Sequence, residues 1–144
     1  MTQRRIAFVT GGAGFIGSNI AAKLAEDRTL DVVVCDRLRE AELGKWKNIA
    51  KHPIGDFVAP EDMFDWLEKR WRDVEVVVHM AAVSTTMEPD ADKIIHSNFS
   101  LSRDLFRWCL SDGQNDAPKL NYLPLPPNVT AKALSALSTI TPAE

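Results

Sequence analysis

Three glycines spaced three apart, Gly11, Gly14 and Gly17, follow the apolar run Ile6-Ala-Phe-Val9 and open a segment of helical apolar spacing. Each does something a β-carbon would prevent. Gly11 lets the chain turn at the strand end, Gly14 lets the backbone approach a bulky anion, and Gly17 lets the helix pack close to the sheet. The first N–H groups of that helix lack intrahelical acceptors and carry its positive end, so the turn suits a pyrophosphate. Asp36 lies 19 positions after Gly17, at the end of a second apolar run, where an acid accepts hydrogen bonds from a ribose. Arg37 follows, and its planar fork matches a 2′-phosphate. An Asp there favours NAD and an Arg favours NADP, and the pair leaves both open. An ordinary glycine turn and a turn-forming Asp are the competing readings. The strand–turn–helix context and the independent acid favour the phosphate-binding one.

The elements that must position these groups alternate along the chain. Ile6–Val9 and 31–36 read as buried strands, and Phe15–Glu26 between them reads as a helix carrying Phe15, Ile16, Ile20, Ala21 and Leu24. Residues 40–50 read as loop with a short helix, and 52–58 as a short third strand weakened by Pro53 and Gly55. Pro60-Glu61-Asp62 starts a helix whose apolar face is Met63, Phe64, Leu67 and Trp71. Val74–Met80 is the clearest strand. Asp90–Leu110 follows as one long helix with Ile94, Ile95, Asn98, Leu101, Leu105, Trp108 and Cys109 along one side. This alternation predicts an α/β fold: a Rossmann-type doubly wound parallel sheet of strand order 3-2-1-4, truncated after its fourth strand and helix.

Composition bounds the function classes. The 144 residues suit one domain, and the net charge of -3 gives no electrostatic reason to expect nucleic acid or an acidic membrane surface. No apolar run approaches the roughly 20 residues that span a bilayer, and Met1–Arg5 runs into a strand too soon for a signal peptide. The expected compartment is therefore cytoplasmic. Cys35 and Cys109 each sit in an apolar periodic segment and read as buried thiols, with no metal site expected. Composition shifts near Ser111: five of eight prolines fall after it and none of the tryptophans or phenylalanines. The expected organisation is a dinucleotide-binding domain at 1–110 and a divergent tail at 111–144.

The run Thr10–Gly17, the triplet Gly55-Asp56-Phe57 and the stretch His79-Met80-Ala81-Ala82 resemble the extended short-chain dehydrogenases, which include nucleotide-sugar epimerases and dehydratases. Gly11–Asn19, Cys35-Asp36-Arg37, Gly44-Lys45-Trp46-Lys47-Asn48 and the run from His79 through Ser84-Thr85-Thr86 to Asn98-Phe99 narrow the likeness to NADP-using epimerases. It covers about residues 4–110. The resemblance implies that Phe15 and Ile16 meet the pyrophosphate through backbone groups. It implies that Asp36 and Arg37 hold the adenosine ribose and any 2′-phosphate, which Lys45 also reaches, and that Asp56 faces the adenine. Met80, Ala81, Ala82, Val83 and Ser84 would line the nicotinamide-side ribose, with Asn98 closing over it. Each has a plainer reading: a solvated Lys45, a turn acid at Asp56, a helix cross-link at Asn98, close packing at Ala81-Ala82. Ser84-Thr85-Thr86 could bond its own backbone, and His79 reads as a packed strand-end histidine, since nothing nearby in sequence orients it.

In this family hydride transfer needs a tyrosine four residues before a lysine, which lowers the phenol pKa, and a serine or threonine upstream. The one tyrosine, Tyr122, has Pro126 at that spacing, so no catalytic residue is assigned. The family's Ala-Ser-Ser-Ala stretch, read one nucleotide later, gives Pro-Leu-Pro-Pro, which stands at 124–127; a frame change and a divergent terminus both account for the tail. The first expectation is the NAD(P)-binding part of a nucleotide-sugar epimerase, inactive alone, with NADP as cofactor and NAD possible. The alternative is a stand-alone redox-sensing or regulatory module. A homo-oligomer is doubtful for so short a chain. Without a fifth strand, Leu105 and Trp108 are expected to be exposed beside an open sheet edge, giving poor solubility.

Overall fold

The computed structural model describes residues 4–38, 44–50, 52–84 and 87–110. The expectations for 111–144, including the segment 121–127, lie outside the described residues. Strand β1 (Arg5–Thr10) leads into α1 (Phe15–Leu24), β2 (Leu30–Cys35), α2 (Trp46–Ile49) and β3 (Asp56–Val58). A 3₁₀ turn at Pro60–Asp62 then enters α3 (Met63–Arg70), followed by β4 (Val74–His79). Helix α4 (Ala91–Ile94), a π-helical segment (Ile95–Ser100) and α5 (Leu101–Leu110) run on without a break. All strands are parallel, in the order β3-β2-β1-β4, as the alternating pattern predicts.

A parallel sheet buried on both faces needs apolar side chains at successive positions, and the strands supply them. One face collects Ile6, Phe8, Val33, Cys35, Val58, Val74 and Val77 against Met63 and Leu67 of α3 and Leu105 and Cys109 of α5. The other collects Ala7, Val9, Val32, Val34, Val76 and Val78 against Ala21, with Ile20 and Leu24 of α1 packed beside it. Among the described residues β4 pairs with β1 alone.

Several local expectations are corrected. Leu105 is 0% exposed and Trp108 is half-buried, its indole donating to Glu68 Oε1 at 3.0 Å, because α5 folds onto the α3 side of the sheet. The exposed apolar residues of this region are instead Ile95, Phe99, Phe106 and Leu110. Ile95 leaves the expected face because it opens the π segment, where the Leu101 N–H reaches back to the His96 carbonyl. Trp71 lies past the end of α3 under the Arg72 guanidinium, and Trp66 takes the core position, its ring centroid 5.3 Å from that of Phe8. In β4 the register with β1 slips between Ile6 and Ala7, leaving Glu75 as the extra residue of a bulge beside Arg5 Nε at 2.6 Å.

Both cysteines are free and buried, as their periodic setting predicts. Burial pushes the Cys35 thiol up to about 12, with the Asp36 carboxylate adding to it, and the Cys109 thiol up to about 11. An unfolded thiol loses its proton near about pH 8.5, so above that pH the unfolded chain binds fewer protons than the folded one. Stability should therefore fall as pH rises from about 8.5 to 9.5, by up to about 1.4 kcal/mol per unit for each thiol. Urea titrations at the two pH values should show this loss in the wild type and its absence in a Cys35→Ala/Cys109→Ala variant. Equal pH slopes for the two proteins would refute the assignment.

Candidate dinucleotide-binding site

The glycine turn sits where the carboxyl ends of β1, β2 and β4 meet. Gly11 has φ +65°, which glycine adopts without strain, and its N–H bonds the Cys35 carbonyl at 2.7 Å. An added β-carbon at Gly11 would lie 2.7 Å from the Ala81 nitrogen. At Gly17 it would lie 2.1 Å from the Gly11 carbonyl oxygen, so this glycine admits the turn itself rather than the sheet. At Gly14 it would meet only that same oxygen, at 3.2 Å, leaving the outward side of the turn open. Gly14 is the N-cap of α1 and provides no side-chain cap, so it leaves the first-turn amides of α1 to other acceptors. Phe15 and Ile16 follow, 85% and 58% exposed. This is a cradle that suits a pyrophosphate held by backbone donors and the helix dipole.

Asp36 ties the turn to β2. Its Oδ2 accepts from the Ala13 N–H at 2.9 Å and its Oδ1 from the Arg37 N–H at 2.7 Å. Lys45 Nζ stands 3.5 Å from Asp36 Oδ1, just before α2. Asn48 of α2 donates to the Ala13 carbonyl at 2.9 Å, so the peptides on both sides of Ala13 are held. The Arg37 guanidinium donates through Nε and Nη2 to Glu61 Oε1 at 3.1 and 2.9 Å. That pair is more than half exposed, and such pairs contribute about 0–1 kcal/mol.

Asp56 is placed differently from its neighbours. It begins β3, two residues short of the strand's carboxyl end, and its Oδ2 accepts from the Trp66 indole at 3.1 Å. The structure thus gathers Gly11, Gly14, Gly17, Asp36, Arg37 and Lys45 around one crevice and turns the Asp56 carboxylate toward α3. Beyond β4, Met80 and Ala81 run against Gly11, and Asn98 grips Val83. The Val83 N–H donates to Asn98 Oδ1 at 2.7 Å, and Asn98 Nδ2 donates to the Val83 carbonyl at 2.9 Å. Ser84 is exposed, and Thr85 and Thr86 lie outside the described residues.

Four contributors were given no role of their own in the sequence reading: Thr10 and Ala13, which stood there only within the glycine motif, Asn48, which stood only within the run from Gly44, and Ser102, which was not singled out. Thr10 carried a signal, being the polar end of an otherwise apolar strand; it is 1% exposed and bonds His79. The others act across long separations. His79 is half-buried, and burial lowers its pKa from the ordinary histidine value.

Residues 7–123 match the model of the NAD dependent epimerase/dehydratase family. The chain belongs to this family. Among curated relatives, the chain is 43% identical over 108 residues to the ADP-L-glycero-D-manno-heptose-6-epimerase of Nitratidesulfovibrio vulgaris (strain DP4), covering 73% of this chain and 32% of that protein. The protein of the same name from Fusobacterium nucleatum is 38% identical over 103 residues, covering 70% and 30%. The chain thus spans about a third of the length of the curated relatives it matches. Among solved structures of the epimerase/dehydratase kind, the UDP-glucuronic acid 4-epimerase of Bacillus cereus in complex with NAD superposes with a TM-score of 0.59 at 22% identity, covering 94% of this chain and 52% of that one. The UDP-N-acetylglucosamine 4-epimerase of Methanobrevibacter ruminantium M1 gives 0.55 at 24%, covering 96% and 51%. These likenesses show the Rossmann-like fold, and family membership supports a nicotinamide dinucleotide as cofactor.

The glycine geometry sets an order of tolerance. Gly17→Ala drives a β-carbon into backbone that cannot swing aside, and overpacking of that kind costs about 1–3 kcal/mol. Gly14→Ala meets one atom at tight contact distance and should cost less than about 1 kcal/mol. Denaturant midpoints of the two variants should fall in that order; the reverse order would mean that the turn is not packed as described.

Proposed function

We propose that residues 4–110 are the cofactor-binding part of a nucleotide-sugar epimerase acting on an ADP-heptose, with NADP as the preferred dinucleotide. The observation that carries this reading is the Gly11–Gly17 turn, open on its outward side at Gly14 and locked to Asp36 and to the end of β4. About 40% identity to heptose epimerases over 103 and 108 residues supports the substrate class. The backbone of Gly14, Phe15 and Ile16 would hold the pyrophosphate. Asp36 would accept from the adenosine ribose, and Arg37 and Lys45 would meet the 2′-phosphate. Asp56 would need to turn from Trp66 to reach an adenine. Met80, Ala81, Ala82, Val83, Ser84 and Asn98 would line the nicotinamide side. When bound, the nicotinamide supplies a hydride acceptor for a sugar carbon bearing a hydroxyl.

The hydroxyl proton must leave as the hydride does, and this chain places no tyrosine–lysine pair to take it: Tyr122 is followed at the fourth position by Pro126. The chain by itself therefore binds dinucleotide and turns over no nucleotide sugar. Calorimetric titration of the 144-residue chain should show NADP binding that Gly14→Asp abolishes, because a carboxylate then faces the pyrophosphate. Equal affinity in both proteins would remove the site. Epimerisation of an ADP-heptose by the purified chain would overturn its assignment as a binding part alone.

Arg37 offers a second measurement. Arg37→Ala removes one charge-assisted contact and should weaken NADP about 10-fold more than NAD. An unchanged preference ratio would assign the phosphate to Lys45 instead.

A further inference from the structure

A chain of hydrogen bonds behind the crevice joins β1, β4 and α5 through Thr10, His79 and Ser102, which the cofactor reading leaves unused. Ser102 Oγ lies 2.8 Å from the Asn98 carbonyl, and His79 Nε2 lies 2.8 Å from the same Oγ. Thr10 Oγ1 is 2.6 Å from His79 Nδ1. Thr10 Oγ1 also receives the N–H groups of Met80 and Ala81 at 3.1 and 3.3 Å, the first shared with the Thr10 carbonyl at 3.0 Å.

Counting protons fixes every direction in this chain. A carbonyl only accepts, so the single Ser102 hydroxyl proton goes to Asn98. Ser102 Oγ must then accept from His79, which places the imidazole proton on Nε2. Nδ1 is left as a lone pair and accepts the Thr10 hydroxyl proton. Thr10 Oγ1, its proton spent, has its lone pairs for the Met80 and Ala81 amides. Every donor has an acceptor only while the ring is neutral and carries its proton on Nε2. A second ring proton would face the oxygen of Thr10, which already accepts two amides, and the Thr10 hydroxyl would lose its acceptor. The chain ends on the Asn98 main-chain carbonyl, and the side-chain amide of the same residue bonds both the N–H and the carbonyl of Val83. The backbone of 80–83 is thus held at one end by Thr10 and at the other by the side chain of the residue whose main-chain carbonyl Ser102 bonds.

We propose that His79 is a positioning residue, held by Thr10 and Ser102 as the Nε2–H tautomer, that fixes the backbone of residues 80–83 for the nicotinamide half of the cofactor. The proposal rests on the reading that 80–84 face that half, and it gives His79 no part in moving substrate protons. It separates the two halves of the dinucleotide: the glycine turn, Asp36 and Lys45 hold the adenosine side, and this network governs only the other.

The test uses the 144-residue chain, with NADP and 2′,5′-ADP, an adenosine-side fragment, as probes. Ser102→Ala removes the hydroxyl that orients the ring and should weaken NADP about 10-fold while changing 2′,5′-ADP less than about 2-fold. Ser102→Thr, which keeps a hydroxyl, should restore NADP binding to within about 2-fold of wild type. Nitrogen-15 NMR of the ring at pH 7.5 should show a protonated Nε2 and an unprotonated Nδ1 in the wild type, a signature that packing alone does not impose. Equal losses for both probes, no loss for either, or an Nδ1–H or doubly protonated ring would overturn the proposal. A wild-type chain that binds 2′,5′-ADP but not NADP would overturn it as well. Failure of the wild type to bind either probe would instead sink the dinucleotide-site reading, and the ring's NMR signature would still judge the tautomer.

Discussion

A β-carbon on Gly17 would stand 2.1 Å from the Gly11 carbonyl oxygen, and one on Gly11 would stand 2.7 Å from the Ala81 nitrogen. Main chain from the first turn, the helix that follows it and the end of β4 therefore meets at distances that only glycine permits. Everything at the crevice takes its place from that meeting. The Gly11 N–H is bound to the end of β2, the N–H and carbonyl of Ala13 are bonded by Asp36 and Asn48, and residues 80–81 are pressed against the turn. Side chains contribute mostly by bonding backbone, so the turn is tied at several points to the elements around it. That is the form in which a helix N-terminus holds an anion at little ordering cost.

The sheet makes that meeting possible. Its two buried faces fix β1 between β2 and β4, so the three carboxyl ends come out side by side. The Glu75 bulge spends one residue at the start of β4, which sets the phase of Val76–His79 against β1 and brings His79 level with Thr10. A charged residue within a run of valines is accommodated because it lies at that irregular position, close to Arg5.

Much of this was legible in the residues and some was not. Parallel strands buried on both faces read as apolar runs, which is why β1, β2 and β4 and their order could be laid out from Ile6–Val9, 31–36 and 74–80. Strand β3 shrank to three residues because Pro53 and Gly55 precede it, as their presence warned. Helical periodicity put Ile95 on the inner face, where the π segment departs from the α repeat, and Trp71 in place of Trp66, because α3 ends at Arg70 before that turn is completed. The contacts that hold the crevice were hidden for another reason. His79 meets Thr10 across 69 positions and Ser102 across 23, and Asn48 meets Ala13 across 35, separations at which spacing carries no local signal. The pairing of Arg37 with Glu61 and the turning of Asp56 to Trp66 belong to the same class.

The π segment at Ile95–Ser100 has a consequence for how this helix tolerates change in length. A π turn holds one residue more than an α turn over nearly the same rise. A helix of this kind can lose one residue there without turning its two ends relative to each other, since α geometry closes the gap. Asp90, which caps the start, and Leu105 and Cys109, which are buried at the far end, would keep their bearings. Asn98 would not; its side chain would swing off Val83. The surplus residue thus works as a slack link, letting the helix answer to the sheet at its ends and to the crevice in its middle.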